Sequence, residues 1–133
     1  MPILVDSNVL LDVATNDPIW AERCASALEL WSARESLVIN PIILAEVSAG
    51  FRSMDEVDAA LPGDTFVREA LPFSAAFAAG KAFLAYRRRG GTRTSTLPDF
   101  FIGAHALVAR HGLLTRDVAR YRTYFPDVSI LEP

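Results

Sequence analysis

The sequence is poor in the side chains that form disulfide frameworks and zinc sites. Its 133 residues include one cysteine, Cys24, and two histidines, His105 and His111. A single thiol can form no disulfide within the chain, which excludes the disulfide scaffolds of secreted proteins and fits a reducing compartment. The two histidines lie six positions apart, and this spacing does not place them on one helix face. We therefore expect neither a metal site nor a catalytic pair from them.

The sequence also lacks long apolar runs and biased composition. No run approaches the roughly 20 apolar residues of a membrane-spanning helix, and no basic segment precedes the apolar residues 3–5, as it would in a signal peptide. Seven glycines and eight prolines are spread along the chain, and 51% of the residues are hydrophobic, which excludes collagen-like and disordered chains. We expect a single domain over residues 1–133, located in the cytoplasm and without a membrane partner.

Charge is distributed unevenly along the chain. Residues 81–124 contain nine basic and two acidic side chains and so carry +7, which leaves −10 on the rest because the net charge is −3. Such a basic segment can bind a polyanion, but basic residues also simply solvate helices. Charge alone favours the second interpretation.

Apolar runs of strand length alternate with amphipathic stretches of helix length, which is typical of an α/β domain. The five runs are residues 3–5, 37–39, 65–67, 112–115 and 128–131. The first is wholly apolar, which suits a central parallel strand covered on both faces. The predicted helices cover residues 18–34, 41–50, 53–61, 73–89 and 98–112, with a further helical turn starting at residue 9. Prolines that follow Asp17 and Asn40 mark two of the helix starts.

Four acidic residues stand among apolar neighbours. Asp6 follows the first predicted strand and Asp117 follows the fourth. Glu46 and Asp99 lie on predicted helices with no basic residue one turn away. Taken singly, three have ordinary structural interpretations, as a turn residue, a helix cap and an acid in the first turn of a helix. Glu46 has none, although distant basic residues are potential partners for all four.

Taken together, the four carboxylates favour a ligand site. Asp6 and Asp117 lie at or just past the carboxyl ends of predicted strands, which is the edge where ligands bind in open parallel sheets. The helices that carry Glu46 and Asp99 can converge on the same cleft. Because four carboxylates repel one another, such a cleft requires a cation. An all-oxygen set of ligands indicates a hard ion such as Mg2+ or Mn2+.

Several segments, in order along the chain, match one family. They are VDSNVLLD at residues 5–12, Glu46, LPDFFIGAHA at residues 97–106, LTRD at residues 114–117, Tyr121 and Phe125. The sequence resembles the PIN-domain nucleases and, among them, the toxin subunits of VapBC toxin–antitoxin pairs, over essentially its whole length. The resemblance implies a three-layer α/β/α fold with a central, mainly parallel sheet of about five strands. It also implies a ribonuclease that uses Mg2+ or Mn2+, a homodimer and a cognate antitoxin as partner.

The resemblance assigns roles to individual residues. The acidic positions of the family fall on Asp6, Glu46, Asp99 and Asp117. We expect Asp6 and Asp99 to bind metal directly, and the other two to hold metal-bound water or a second ion, with one of them accepting a proton. The supporting polar positions fall on Ser7, Asn8 and Thr115, which are expected to orient carboxylates or water.

Arginines are the expected contacts to RNA. An acidic cleft repels RNA, so the attraction must come from its rim. The candidates are Arg87, Arg88, Arg89, Arg93, Arg116 and Arg120. A solvated helix end, with cations favoured by the helix dipole, explains residues 87–89 about equally well.

Two other functions are compatible with parts of the sequence. Asp6 after a strand permits a phosphatase with an aspartate nucleophile. However, Asn8 stands where a second aspartate would follow, and Lys81 is the only lysine available for a phosphate. The other alternative is a non-catalytic scaffold of the same fold that binds RNA or protein. A degenerate scaffold is expected to lose acidic residues, whereas all four are present here.

Overall fold

The computed structural model describes residues 1–133 as five short strands and seven helices. The strands are β1 (Ile3–Val5), β2 (Leu37–Ile39), β3 (Phe66–Arg68), β4 (Gly112–Leu114) and β5 (Ile130–Leu131). The helices are α1 (Ser7–Ala14), α2 (Ala21–Ser32), α3 (Pro41–Ser48), α4 (Met54–Ala60), α5 (Phe73–Arg88), α6 (Pro98–Ala109) and α7 (Val118–Tyr124). No helix combines the length and the apolar character that crossing a membrane requires.

The strands form one parallel sheet in the order β3-β2-β1-β4-β5. In the central strand, Ile3 pairs with Leu37 of β2 on one side and with Gly112 of β4 on the other. β1, β2 and β4 are buried along their whole length, as expected for parallel strands that helices cover on both faces. The predicted three-layer α/β/α fold with about five mainly parallel strands is confirmed.

The strand order produces a topological switch at β1. The chain adds β2 and β3 on one side of β1, and then crosses to add β4 and β5 on the other side. In open parallel sheets, a crevice forms outside the carboxyl ends of the strands at such a point. Asp6 follows β1 and Thr115 follows β4. Both residues therefore lie at the mouth of this crevice.

Helix α2 begins later than its proline signal predicts. The sequence places the start at Pro18, whereas the helix begins at Ala21. The Oδ1 atom of Asp17 accepts the N–H groups of Ile19 and Trp20, at 2.9 and 2.8 Å. The predicted cap residue thus closes a separate turn at residues 18–20, and the regular helix starts only after it.

Most other boundaries agree with the prediction to within one or two residues. The predicted cap of α3 is in place, because the Oδ1 atom of Asn40 accepts the N–H of Ile43 at 2.9 Å. β3 begins at Phe66 instead of residue 65, and β5 contains two residues instead of four. At strand ends, pairing with the neighbouring strand decides the boundary and the local sequence does not. Among the helices, α1 begins at Ser7 instead of residue 9, α6 ends at Ala109 instead of residue 112, and the short helix α7 was not predicted.

Helices α6 and α7 approach closely because one of them carries a glycine at the contact. A Cβ atom built on Gly103 of α6 would lie 2.4 Å from the aromatic ring of Phe125. Phe125 directly follows α7 and is buried. The missing side chain at position 103 therefore makes room for the ring of Phe125 against α6.

This contact predicts that Gly103→Ala destabilises the protein by about 1–3 kcal/mol, because the added methyl group overpacks the ring of Phe125. Gly80→Ala on α5 is the matched control, since a Cβ atom there meets no atom within 4 Å. The control is expected to keep or raise stability by up to about 1 kcal/mol, as alanine favours helix. Urea denaturation measures both. Equal stability of the two variants would contradict the close approach, and Phe125→Leu is expected to restore part of the loss in Gly103→Ala.

Candidate functional site

Asp6 is a buried carboxylate surrounded by hydrogen-bond donors. It caps α1, and its Oδ1 atom accepts the N–H of Ser7 at 2.8 Å. Its Oδ2 atom accepts hydrogen bonds from Thr115 Oγ1 at 2.7 Å and Tyr121 OH at 3.2 Å. Asn8 Nδ2 adds a longer one to the same oxygen at 3.3 Å. Donors from α1, the β4–α7 connection and α7 therefore fix both oxygens of one carboxylate.

The charge on Asp6 is destabilised in spite of these donors. The pKa of Asp6 is raised to about 6, because burial and the negative charge of Asp99 raise it by more than the hydrogen bonds from Thr115, Tyr121 and Ser7 lower it. Burial also raises the pKa of Tyr121, so its hydroxyl stays protonated and donates. The ionised form of Asp6 is one that a nearby cation would stabilise.

Asp99 interacts electrostatically with the other three acids. It lies in the first turn of α6, and its side chain is 29% exposed. Burial raises its pKa, the positive charge of Arg120 lowers it, and the negative charge of Asp117 raises it. The charge of Asp99 in turn raises the pKa values of Asp6 and Glu46. The structure therefore brings the four predicted acids together.

Glu46 is connected to Asp6 through Ser7. It lies on α3, which is apolar on most sides, and is half-buried. Its Oε1 atom accepts the hydroxyl of Ser7 at 3.0 Å, while the backbone N–H of the same residue donates to Asp6. Burial raises the pKa of Glu46, and the Ser7 hydrogen bond partly offsets this. Ser7 thus orients two carboxylates at once.

Asp117 is half-exposed, with a side-chain exposure of 46%. It precedes α7 at the capping position, but its side chain forms no capping hydrogen bond. Its backbone N–H donates to Thr115 Oγ1 at 3.0 Å, so Thr115 orients both this residue and Asp6. The carboxylate has Arg120 as its ion-pair partner, with Nε 3.7 Å from Oδ2. We call the four residues together the acidic cleft: Asp6, Glu46, Asp99 and Asp117.

Arg116, one of the predicted RNA contacts, forms an ion pair within the protein. Its guanidinium forms a two-point ion pair with the buried carboxylate of Asp12, with Nε–Oδ2 and Nη2–Oδ1 distances of 2.6 and 3.2 Å. It also lies 5.0 Å from the ring centroid of Trp20. No sequence signal identified Asp12, because the two partners are 104 positions apart. The pair anchors the β4–α7 connection to α1.

The remaining predicted arginines differ in the contacts that their side chains form within the protein. Arg87 donates from Nη1 to the backbone oxygens of Gly91 and Arg93, at 3.2 and 2.9 Å, and so ties down the loop after α5. Arg89 lies 5.9 Å from the ring centroid of Tyr124. The exposed side chains of Arg88 and Arg93 form no ion pair or hydrogen bond. These two are free to contact an anion.

The two histidines lie side by side, although their spacing does not place them on one helix face. The Nε2 atoms of His105 and His111 are each 2.9 Å from Glu69 Oε1. They meet because α6 ends at Ala109 and Arg110 adopts a left-handed conformation, with φ of 58°, which turns the chain back beside the helix. The ligand atoms of Glu69, His105 and His111 all lie within 4.8 Å of one another, close enough for one metal ion.

The hydrogen bonds of Asn40 argue against a metal in this histidine cluster. Because Asn40 Oδ1 accepts the N–H of Ile43, its Nδ2 atom must donate to Nδ1 of His105, which is 3.0 Å away. His105 then carries its proton on Nε2 and donates it to Glu69. A metal on that nitrogen would move the proton to Nδ1, against the Asn40 donor. A hydrogen-bonded cluster explains the three residues without an ion.

Comparison with known proteins gives one family and a set of similar folds. A family model described as PIN domain matches residues 3–126. No curated protein matches the sequence significantly. Among solved structures, VapBC2 from Rickettsia felis bound to a promoter DNA fragment matches with a TM-score of 0.75 and 17% identity, covering 99% of this chain and 98% of that one.

Two further solved structures have similar folds. VapBC-1 from nontypeable Haemophilus influenzae matches with a TM-score of 0.74 and 18% identity, covering 99% of this chain and 98% of that one. A toxin–antitoxin complex from Klebsiella pneumoniae matches with a TM-score of 0.67 and 24% identity, covering 90% and 89%. At such identities, the likeness is one of fold.

The burial of Asp6 predicts an unusual pH dependence of stability in the metal-free protein. Because its pKa rises from the ordinary 3.8 to about 6 on folding, the folded state keeps a proton there that the unfolded chain releases. The contribution of Asp6 to stability is therefore largest below about pH 4 and is lost as the pH rises through about 6. Asp6→Asn removes this titration.

We expect the wild type to lose up to about 3 kcal/mol relative to Asp6→Asn between pH 4 and pH 7. Urea denaturation in the presence of a chelator measures the difference at each pH. Because Asp6→Asn changes hydrogen bonds at every pH, the comparison uses the slope of the unfolding free energy against pH and not the absolute stability. Parallel curves for the two proteins would show that the carboxylate is not destabilised by burial.

Proposed function

The chain belongs to the PIN domain family, and from this premise we propose that it is a divalent-metal-dependent ribonuclease and the toxin of a toxin–antitoxin pair. The observation that carries the proposal is the acidic cleft. Its four carboxylates come from four separate elements and influence one another's pKa values at the mouth of the crevice. A structural role does not require such repulsion, whereas a site for a divalent cation does.

The donor set of the acidic cleft fits Mg2+ or Mn2+. Its ligands are carboxylate oxygens without histidine or cysteine, which suits a hard ion. We assign Asp6 and Asp99 to direct binding, because Asp6 is buried and the side chain of Asp99 is 29% exposed, against 46% for Asp117. Glu46 and Asp117 would hold metal-bound water or a second ion. The bound ion supplies a water of lowered pKa and stabilises charge on the phosphoryl oxygens.

The chain's own residues hold these acids and move the proton. Ser7, Asn8, Thr115 and Tyr121 donate hydrogen bonds that keep Asp6 and its neighbours in one geometry. Glu46 is the better placed of the two outer acids to accept a proton from the attacking water. Its pKa is raised by burial, and a base with a pKa closer to neutrality takes a proton more readily.

RNA is held by arginines on the rim of the acidic cleft. We propose that Arg88 and Arg93 contribute most of the phosphate contacts, because their side chains are exposed and unpaired. Arg87 and Arg89 contribute after partial rearrangement of the contacts described above, and Arg120 lies at the cleft itself. Arg116 contributes least, since contacting RNA would leave Asp12 as an uncompensated buried charge.

The remaining properties follow from the family and the similar folds. The family model spans residues 3–126, and the VapBC2 and VapBC-1 structures each match over 99% of the chain. Both matches support one PIN domain over residues 1–133. Several of those structures are VapBC or toxin–antitoxin complexes by name, which supports a cognate antitoxin as partner. We also propose a homodimer located in the cytoplasm.

A phosphatase with an aspartate nucleophile fits the geometry poorly. The only lysine, Lys81, lies on α5 with its Nζ atom 5.2 Å from the ring centroid of Phe77. It pairs with an aromatic ring on the surface instead of serving the acidic cleft.

The function predicts that Asp99→Asn lowers RNA cleavage by more than about 100-fold, because the variant loses a direct metal ligand and several kcal/mol of charge stabilisation. Cleavage by purified protein freed of antitoxin is measured with Mg2+ or Mn2+, and again with a chelator. Asp64→Asn, an exposed aspartate outside the acidic cleft, is the control and keeps full activity. Cleavage by Asp99→Asn at the wild-type rate would refute the assignment, and a wild type that neither cleaves RNA nor binds the ions would favour the scaffold.

The arginine assignment predicts a change in the salt dependence of RNA binding. In an Asp99→Asn background, which prevents cleavage, the double replacement of Arg88 and Arg93 by Gln should lower the slope of log affinity against log salt by roughly 1.4, since each phosphate contact contributes about 0.7 with single strands. Replacing Arg34 and Arg52 by Gln removes the same charge from other exposed positions. That control keeps the slope, and an equal loss in both double variants would indicate a general charge effect.

A further inference from the structure

Arg120 is the one basic side chain that pairs with the acidic cleft. Its Nε atom lies 3.6 Å from Asp99 Oδ2 and 3.7 Å from Asp117 Oδ2. Both distances are longer than a hydrogen bond, in contrast to the 2.6 Å ion pair of Arg116 with Asp12. Arg120 is therefore placed between two carboxylates by charge, without the two-point geometry that would fix a guanidinium there.

The position of Arg120 is reversible. The side chain is 34% exposed, so its guanidinium can turn towards solvent and leave Asp99 and Asp117, which are 29% and 46% exposed, to another cation. It stands one turn after Asp117 on the short helix α7, where an i,i+3 pair is weak when exposed. Nothing else in the cleft holds the guanidinium in place.

The electrostatics of the cleft require some cation at this point. Asp99 lies within Coulombic reach of the three other acids, and Arg120 is the only positive charge that acts on it. When all four acids are ionised, one guanidinium neutralises only part of their charge. A divalent cation at the same place carries twice the charge and binds the oxygens directly.

We propose that Arg120 is an internal counter-ion that occupies the acidic cleft in the metal-free protein and competes with the divalent cation for Asp99 and Asp117. The inference rests on the proposed function, because it takes the cleft as the metal site. It adds that the chain itself limits how tightly the ion binds. Metal binding then includes the displacement of a guanidinium from two carboxylates.

Calorimetric titration with Mn2+ tests the competition. Arg120→Gln is expected to bind Mn2+ about three- to tenfold more tightly than the wild type, because the competing charge is gone and the loss of a half-exposed pair is small. Arg122→Gln is the matched control: it removes the same charge from the same helix at an exposed position without an ion pair. Its affinity should stay within about twofold of the wild type.

Thermal unfolding in a chelator gives a second readout that needs no metal. Without its counter-ion, Arg120→Gln should melt at a lower temperature than Arg122→Gln at pH 7. Adding Asp99→Asn to Arg120→Gln should restore the melting temperature, because the repelling charge is then removed as well. A melting temperature of Arg120→Gln equal to that of the control would overturn the counter-ion role.

The outcomes separate this inference from the proposed function. If the wild type binds Mn2+ and Arg120→Gln binds it no more tightly, the competition is wrong and the metal site stands. If Arg120→Gln binds Mn2+ more weakly, Arg120 supports the site instead of competing, and the inference is again overturned. If neither protein binds Mn2+, the proposed metal dependence fails, and the competition falls with it.

Discussion

The buried carboxylate of Asp6 at the end of the central strand is the constraint on which the other features of the site depend. A charge in that position is too costly without partners, and the fold provides them from three directions. Ser7 donates from α1, Thr115 from the end of the adjacent strand, and Tyr121 from α7. The parallel pairing of β1 with β4 brings the first and second of these together. The donors keep the carboxylate in place but do not fully offset the cost of ionising it.

This incomplete compensation connects stability to function. Asp6, Glu46 and Asp99 all have pKa values raised first by burial, so the metal-free protein carries unfavourable charge at neutral pH. The fold tolerates it because the rest of the core is extensive, with buried strands on both sides of β1. A divalent cation would relieve burial and repulsion together, and part of the stability lost at the cleft would return on binding. Arg120 relieves the repulsion only in part.

The sequence predicts the strands and helices well because short, local patterns of apolar and capping residues indicate them. Short apolar runs located the strands to within one or two residues, and the Asn40–Pro41 pair located the start of α3. The four acids were found because each lies among apolar residues. Their convergence was predicted from the rule that ligands bind at the carboxyl edge of a parallel sheet. Their assigned roles stay predictions.

What the sequence did not predict depends on contacts between distant residues. The ion pair of Asp12 with Arg116 joins α1 to the β4–α7 connection, and nothing in either neighbourhood indicates it. The pairing of His105 with His111 depends on a left-handed turn at Arg110, a conformation that glycine or asparagine usually signals and arginine does not. The hydrogen bond from Tyr121 to Asp6 could not be predicted, because Asp6 lies 115 residues earlier in the chain.

We propose that the carboxylates of the acidic cleft, and not the histidine cluster, hold the divalent ion. Anomalous scattering from crystals soaked with Mn2+ locates the ion without any assumption about activity. We expect an anomalous peak between Asp6 and Asp99. A peak at Glu69, His105 and His111, with none in the acidic cleft, would contradict it.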